Sequence, residues 1–198
     1  MRILLTGATG FIGHHVAQAL LAAGHEIVGC SRRRSDALHR YPELGWIRVD
    51  FTADCTVDAW RPRLTGFAAV INTAGIVRER PGASFAAVNF EAPRALFQAC
   101  AERGPRRVIQ LSTPDCERDP RAYAASKLRA ERALAELDLD WTIVRASLLH
   151  AEDLASAIAR LIEDRGPLRA VLELDESRPL VLHDVRERGD DRPVPRAA

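Results

Sequence analysis

With 198 residues, 47% hydrophobic and 28% charged, the chain has the composition of an ordinary globular protein and the length for one domain with a substantial core. A formal net charge of +1 gives no electrostatic case for a nucleic-acid or anionic-membrane partner, and the run Arg32-Arg33-Arg34 is too short to serve as a binding tail. Cys30, Cys55, Cys100 and Cys116 are scattered, with no Cys-x-x-Cys pair and no histidine at metal-ligand spacing, so they read as buried or half-buried free thiols and no metal site is expected.

The chain begins directly in an apolar run, Arg2 to Thr6, which ends at glycine and predicts a strand. No leader-like region precedes it and no apolar stretch reaches membrane-spanning length, so a cytoplasmic location is expected. Phe11 to Ala23 carries apolar residues at helical spacing until Gly24. Strands follow at Glu26–Cys30, Trp46–Val49 and Phe67–Ile71, then a helix from about Ser84 to Glu102 and a strand at Arg107–Leu111. A helix over about Pro120–Leu137, a strand at Trp141–Val144, a helix over roughly His150–Asp164 and a seventh strand at Ala170–Leu174 complete the order. This alternation predicts an α/β fold: a doubly wound parallel sheet of the Rossmann type between two helical layers. Residues 1–185 are expected to form one dinucleotide-binding domain, with the Arg-, Asp- and Pro-rich residues 186–198 a frayed tail.

Gly7, Gly10 and Gly13 stand at G-x-x-G-x-x-G spacing between the first strand and first helix. Glycine permits the tight turn there, lets backbone approach a pyrophosphate, and delivers that anion to a helix N-terminus. The segment makes Gly7, Thr9, Gly10, Phe11, Ile12 and Gly13 the candidate phosphate-binding residues. An acidic residue after the second strand would bond a ribose 2′-hydroxyl and repel a 2′-phosphate, but Cys30-Ser31-Arg32-Arg33 contains none. Ser31 and Arg32 can hold a phosphate by charge-assisted hydrogen bonds, which favours NADP(H) over NAD(H); otherwise the arginines form a solvated loop. Asp50, after the third strand, is either an acceptor for an adenine amino group or a turn cap. Asn72-Thr73-Ala74-Gly75 ends the fourth strand in small residues, making Ala74 and Gly75 backbone neighbours of a dinucleotide crossing the sheet edge.

Lys127 is the one lysine, against 27 arginines, and lies four residues after Tyr123 in Tyr-Ala-Ala-Ser-Lys. A compact ammonium can sit beside a phenol and donate to ribose hydroxyls, which arginine does less well. Alone, the pair is one of many i, i+4 pairs on helices. With the glycine turn upstream and Ser112-Thr113 closing an apolar run before it, the pair marks a candidate catalytic site of Tyr123, Lys127 and Ser112.

Thr6-Gly-Ala-Thr-Gly-Phe-Ile-Gly13, Asn72-Thr-Ala-Gly75, Val88-Asn89, Leu111-Ser112-Thr113 and Tyr123-Ala-Ala-Ser-Lys127 together resemble the short-chain dehydrogenase/reductase superfamily over about Met1–Leu148. The first motif resembles the extended, NAD-dependent epimerase/dehydratase branch. The spacing of only eleven positions between Ser112 and Tyr123 is more similar to atypical proteins related to the NADPH-binding subunit of respiratory complex I. The resemblance implies Tyr123 as general acid/base, Lys127 as the residue that bonds the nicotinamide ribose and lowers the tyrosine pKa, and Ser112 as the group orienting a carbonyl or hydroxyl. Asn89 would sit in the helix behind the site, or simply serve as a structural hydrogen bonder.

Members of that family usually place Arg-Pro and a long substrate-pocket segment after the sixth strand, then a His-x-x-Asp-x-Ala helix. Here Arg145-Ala-Ser-Leu-Leu-His150-Ala-Glu-Asp153-Leu-Ala155 joins the two directly, so the chain resembles a member lacking most of that segment. His150 and Asp153 are either remnants of pocket packing or helix caps. Two functions remain open: an NAD(P)(H)-dependent oxidoreductase or epimerase acting on a carbonyl, hydroxyl or sugar-nucleotide substrate, or a non-catalytic NADP(H)-binding sensor, assembly or structural protein. A homodimer through exposed helices would cover apolar surface left by the missing segment.

Overall fold

The computed structural model describes residues 1–114, 116–119, 121–146, 151–164 and 169–174. His150, the expected helix start at Pro120 and the expected tail at 186–198 lie outside those residues. Seven parallel strands form one sheet: β1 (Arg2–Thr6), β2 (Glu26–Ser31), β3 (Gly45–Arg48), β4 (Ala69–Asn72), β5 (Arg107–Ser112), β6 (Asp140–Ala146) and β7 (Ala170–Leu174). Their spatial order is β3-β2-β1-β4-β5-β6-β7. The direction of winding reverses between β1 and β4, and a crevice opens at such a reversal beyond the carboxyl ends of the strands.

Six α-helices cover the sheet: α1 (Phe11–Ala22), α2 (Arg34–Arg40), α3 (Val57–Trp60), α4 (Ala92–Arg103), α5 (Ala122–Ala135) and α6 (Ala151–Glu163). Because successive strand side chains point to opposite faces, each strand feeds two cores. Ile3, Leu5, Ile71, Ile109 and Val144 pack with Val16 and Leu20 of α1 and Leu154 and Ile158 of α6. Leu4, Val70, Val108 and Ile143 face Leu96 and Phe97 of α4, Leu134 of α5 and Trp60. The two cores sandwich the sheet, which is the three-layer arrangement the strand and helix alternation predicts.

Three local features depart from expectation. The Arg32–Arg34 loop is short because Arg34 begins α2, its Nε donating to the Trp46 carbonyl at 2.8 Å. The helix expected from Ser84 opens as a π-helix, Ala86–Glu91, before regular α-helix begins at Ala92. The fourth strand begins at Ala69 rather than Phe67, and β6 extends from Asp140 to Ala146 because it pairs along its whole length with β5 and β7.

Candidate functional site: a dinucleotide cleft and a buried tyrosine–lysine helix

The glycine turn closes on β4. Gly7 has φ +73°, a left-handed conformation that disfavours a side chain, and a Cβ there would lie 2.7 Å from the Ala74 nitrogen. A Cβ at Gly13 would overlap the Gly7 carbonyl oxygen, so the first turn of α1 seats directly on the loop. The Gly10 N–H donates to the Gly7 carbonyl at 2.8 Å, setting the turn, and α1 begins at Phe11 with no side-chain cap and no acidic residue in its first turn. Its N-terminal N–H groups and dipole therefore face the crevice uncompensated by side chains. Glycines packed this tightly leave a backbone-lined cradle suited to the pyrophosphate of a dinucleotide.

A cleft of about 780 Å³ runs from this cradle across the ends of β1, β2 and β4. Of the expected residues, Gly7, Thr9, Gly10, Ser31, Arg32, Asp50, Ala74 and Gly75 line it. Phe11, Ile12 and Gly13 do not: Ile12 packs into the core, Phe11 is exposed, and their contribution is confined to the start of α1. Sequence reasoning missed Arg40, Tyr41 and Arg80, which also line the cleft and carry no local motif. Asp50 accepts from the Thr52 N–H at 3.0 Å and the Thr52 hydroxyl at 2.8 Å, which is a turn cap. Burial works to raise its carboxyl, but those two bonds and the charges of Arg32 and Arg48 outweigh burial and hold it below the ordinary range.

The second half of the site is buried in side-chain contacts. Tyr123 and Lys127 lie one turn apart on α5, Tyr123 half-buried and Lys127 buried. A Cβ at Gly75 would sit 3.7 Å from Lys127 Nζ and 3.3 Å from Asn89 Oδ1, so the lysine reaches the end of β4 where the cleft passes. Asn89, in the π-helix, accepts from the Ile76 N–H at 2.8 Å, donates to the Ile76 carbonyl at 2.9 Å, and donates to Ser126 Oγ at 3.1 Å. Ser126 Oγ in turn donates to the Tyr123 carbonyl at 2.6 Å. One buried amide thus ties the segment after β4 to the helix that carries Tyr123 and Lys127. A π-bulge aimed at a site in this way follows the general tendency of such bulges.

The Ser112 hydroxyl is buried and makes no hydrogen bond among the described residues. The expected lowering of the phenol is not found. Burial pushes the Tyr123 phenol above its ordinary value, and the Thr113 side chain pulls it down. Burial lowers Lys127 itself to about 8, partly opposed by the Glu131 carboxylate.

Behind Lys127 lies a buried ion cluster with no signal in sequence spacing. Arg145 of β6 meets Glu131 of α5 through Nε at 3.2 Å and NH2 at 2.7 Å. It also pairs with Glu117 at 2.8 Å and with Glu173 of β7 at 3.2 Å. Asp153, exposed in the first turn of α6, sits where an acidic side chain favours the helix dipole, which is the capping alternative for this residue. Cys30, Cys100 and Cys116 are buried free thiols and Cys55 is half-buried, and no group of side chains among the described residues could hold a metal ion.

A doubly wound sheet with a glycine-turn cleft at its switch point defines a Rossmann-type dinucleotide-binding fold. Comparison narrows that class: a model of the NAD dependent epimerase/dehydratase family matches residues 3–149, and the chain belongs to that family. It is 31% identical over 189 residues to a dTDP-4-dehydrorhamnose reductase of Burkholderia thailandensis, covering 87% of this chain and 59% of that protein. It is 30% identical over 162 residues to an uncharacterised protein of Mycobacterium tuberculosis, covering 81% of this chain and 16% of that protein. The chain thus spans less than two thirds of either relative. Among solved structures, an oxidoreductase from Lactococcus lactis superposes with a TM-score of 0.72 at 22% identity, covering 87% of this chain and 90% of that one. A Citrobacter triphenylmethane reductase complexed with NADP(H) superposes with a TM-score of 0.74 at 16% identity, covering 91% and 72%.

Proposed function

We propose that the chain is an NAD(P)(H)-dependent oxidoreductase or epimerase that interconverts a carbonyl and a hydroxyl on a small-molecule or sugar-nucleotide substrate. The observation that carries this reading is Lys127 Nζ beside Gly75. It joins the α5 pair to the end of the cleft that starts at the Gly7–Gly13 cradle. The bound cofactor supplies or accepts the hydride. Tyr123 gives or takes the proton at the substrate oxygen through its phenol, and Ser112, whose buried hydroxyl has no partner among the described residues, orients the same oxygen. Lys127 donates to the nicotinamide ribose, and its ammonium stabilises a developing phenolate once the site closes and water leaves. Asn89 keeps the two halves in register through Ile76 and Ser126.

NADP(H) is the favoured cofactor. Ser31 and Arg32 line the cleft after β2, no carboxylate ends that strand, and the Ser31 hydroxyl is held at 3.2 Å from the Arg33 N–H. The test is a parallel calorimetric titration with NADPH and NADH, in the wild type and in Arg32→Ala. NADPH is expected to bind more tightly, and Arg32→Ala to weaken NADPH alone by about tenfold or more, the scale of one charge-assisted phosphate contact. Equal affinity for both nucleotides in wild type and variant would overturn the NADP(H) assignment.

A second reading rests on a separate observation: neither Tyr123 nor Lys127 lines the cleft, so its open volume lies along the cofactor path. On that reading the chain binds NADP(H) without turnover, as a sensor, assembly or structural protein. Reduction of any member of a carbonyl and sugar-nucleotide panel, abolished by Tyr123→Phe with NADPH affinity kept, decides for the enzyme. Tight binding without turnover across the panel decides for the binding protein.

A further inference from the structure

The Arg145 cluster is larger than fold stability alone requires, and its placement points back to the site. Glu131 is 3% exposed and lies one helical turn beyond Lys127, which is 6% exposed, on the same buried side of α5. Both Glu131 oxygens are occupied: Arg145 reaches each of them, and the Cys116 thiol donates to Oε1 at 3.3 Å. Arg145 is 6% exposed, and Ser112, Arg145 and Glu173 stand side by side across β5, β6 and β7. Glu117 brings in the segment between Thr113 and α5. A charge pair this deep costs desolvation that its own attraction barely returns, so burial of the pair is not explained by stability.

We propose that Glu131 is a positioning residue for Lys127: clamped by Arg145, its carboxylate is the fixed counter-charge that keeps the buried ammonium in its donating form, and Glu117 couples this clamp to the segment bearing Thr113. The proposal rests on the reading of Lys127 as the cofactor-ribose and tyrosine partner. The charged and titratable groups around Lys127 among the described residues are Tyr123 and Glu131 from α5, Cys116 and Glu117 from the preceding segment, Arg145 from β6 and Glu173 from β7. Of these, Glu131 and Cys116 raise the proton affinity of Lys127 against burial. Arg145 itself is held above its ordinary range, its hydrogen bonds to Glu131 and Glu117 outweighing burial. The clamp therefore stays charged at every working pH, with Glu131 fixed opposite it.

Because Lys127 is the one lysine of the chain, biosynthetic labelling with ¹³C-lysine places a single ε-carbon resonance in the protein, and its shift against pH reads this residue alone. In the full chain without nucleotide, the wild-type midpoint is expected near 8. Glu131→Gln is expected to move it down, and Glu131→Asp, which keeps the charge, to restore most of the shift. The double variant Glu131→Gln/Arg145→Met removes both buried charges together, which such sites commonly tolerate, and is expected to move the midpoint down by less, because loss of the neighbouring cation opposes loss of the carboxylate. It decides the matter if the single variant does not fold. A midpoint unchanged in either variant would reduce Glu131 to a structural partner of Arg145 and overturn the proposal. Failure of NADPH to bind the wild type would instead overturn the functional reading and leave this titration intact, so the two failures are distinguishable.

Discussion

The two halves of the site are built by different physics. The nucleotide half, β1 through α1 to the end of β2, is backbone: a left-handed glycine, a second glycine seated against its carbonyl, and an uncapped helix start, all within the first few turns of chain. The proposed proton-transfer half is side chains drawn from β4, a π-helix, β5, α5, β6 and β7, joined by hydrogen bonds and ion pairs. Backbone sites fail by steric overlap, with little dependence on pH. Side-chain clusters fail by uncompensated charge, and their failure is written in pH and in double-variant coupling.

The largest effect expected from breaking this contrast is on the ionic side. Arg145→Met leaves Glu131 buried without its cation and should cost about 3–5 kcal/mol in denaturant unfolding, with the Glu131→Gln/Arg145→Met double variant recovering most of it. On the backbone side, Gly13→Ala forces a Cβ into the Gly7 carbonyl. It should cost about 1–3 kcal/mol and abolish measurable NADPH binding, with the loss the same at pH 6 and pH 8. Asn89→Ala removes the amide that serves the Ile76 N–H and carbonyl, leaving buried backbone groups unpaired, and is expected to cost about 1–3 kcal/mol and raise the exchange rate of the Ile76 amide hydrogen.

The smallest effect is a pH signature. Lys127 releases its proton at about 8 in the folded chain and at its ordinary, higher value when unfolded. Below 8 both states hold that proton; above 8 the unfolded state holds more, so stability rises with pH. The slope approaches about 1.4 kcal/mol per pH unit just above 8. The buried thiols of Cys30, Cys100 and Cys116 are pushed up by burial, so the unfolded chain loses their protons first and, three against one, stability falls again above about 8.5. Three thiols titrating against one lysine cancel the rise, so the wild-type profile is expected to turn over between about pH 8 and 8.5 in chemical denaturation, and the Lys127 contribution is read as wild type minus Lys127→Met, a difference that should widen as pH rises above about 8. A difference between wild type and Lys127→Met that stays constant from about pH 7 to pH 10 would show that Lys127 is not desolvated as the structure has it.

Much of the molecule was legible before any coordinates. The alternation of apolar runs, glycine stops and helical spacing located all seven strands and the long helices to within a few residues, because these are local consequences of side-chain period and backbone freedom. The glycine turn was legible for the same reason. Short α2 was not, since seven residues beginning in Arg34-Ser35 carry little periodicity and α2 is held in part by Arg34 reaching the Trp46 carbonyl. The π-helix was hidden because its extra residue is stabilised by Asn89 bonding to Ile76, a partner thirteen positions away.

The sequence by itself determined the parallel α/β order, the phosphate-type turn and the candidate pair Tyr123 and Lys127, each set by residues close together along the chain. Only the tertiary structure decided that Asp50 is committed to a turn cap, that burial raises the tyrosine phenol, and that Arg145 and Glu131 stand behind the lysine. Those outcomes depend on which side chains share a buried space once strands distant in sequence lie side by side. Burial and the charge of a neighbour, the quantities that set a proton's affinity, exist only after that packing is made.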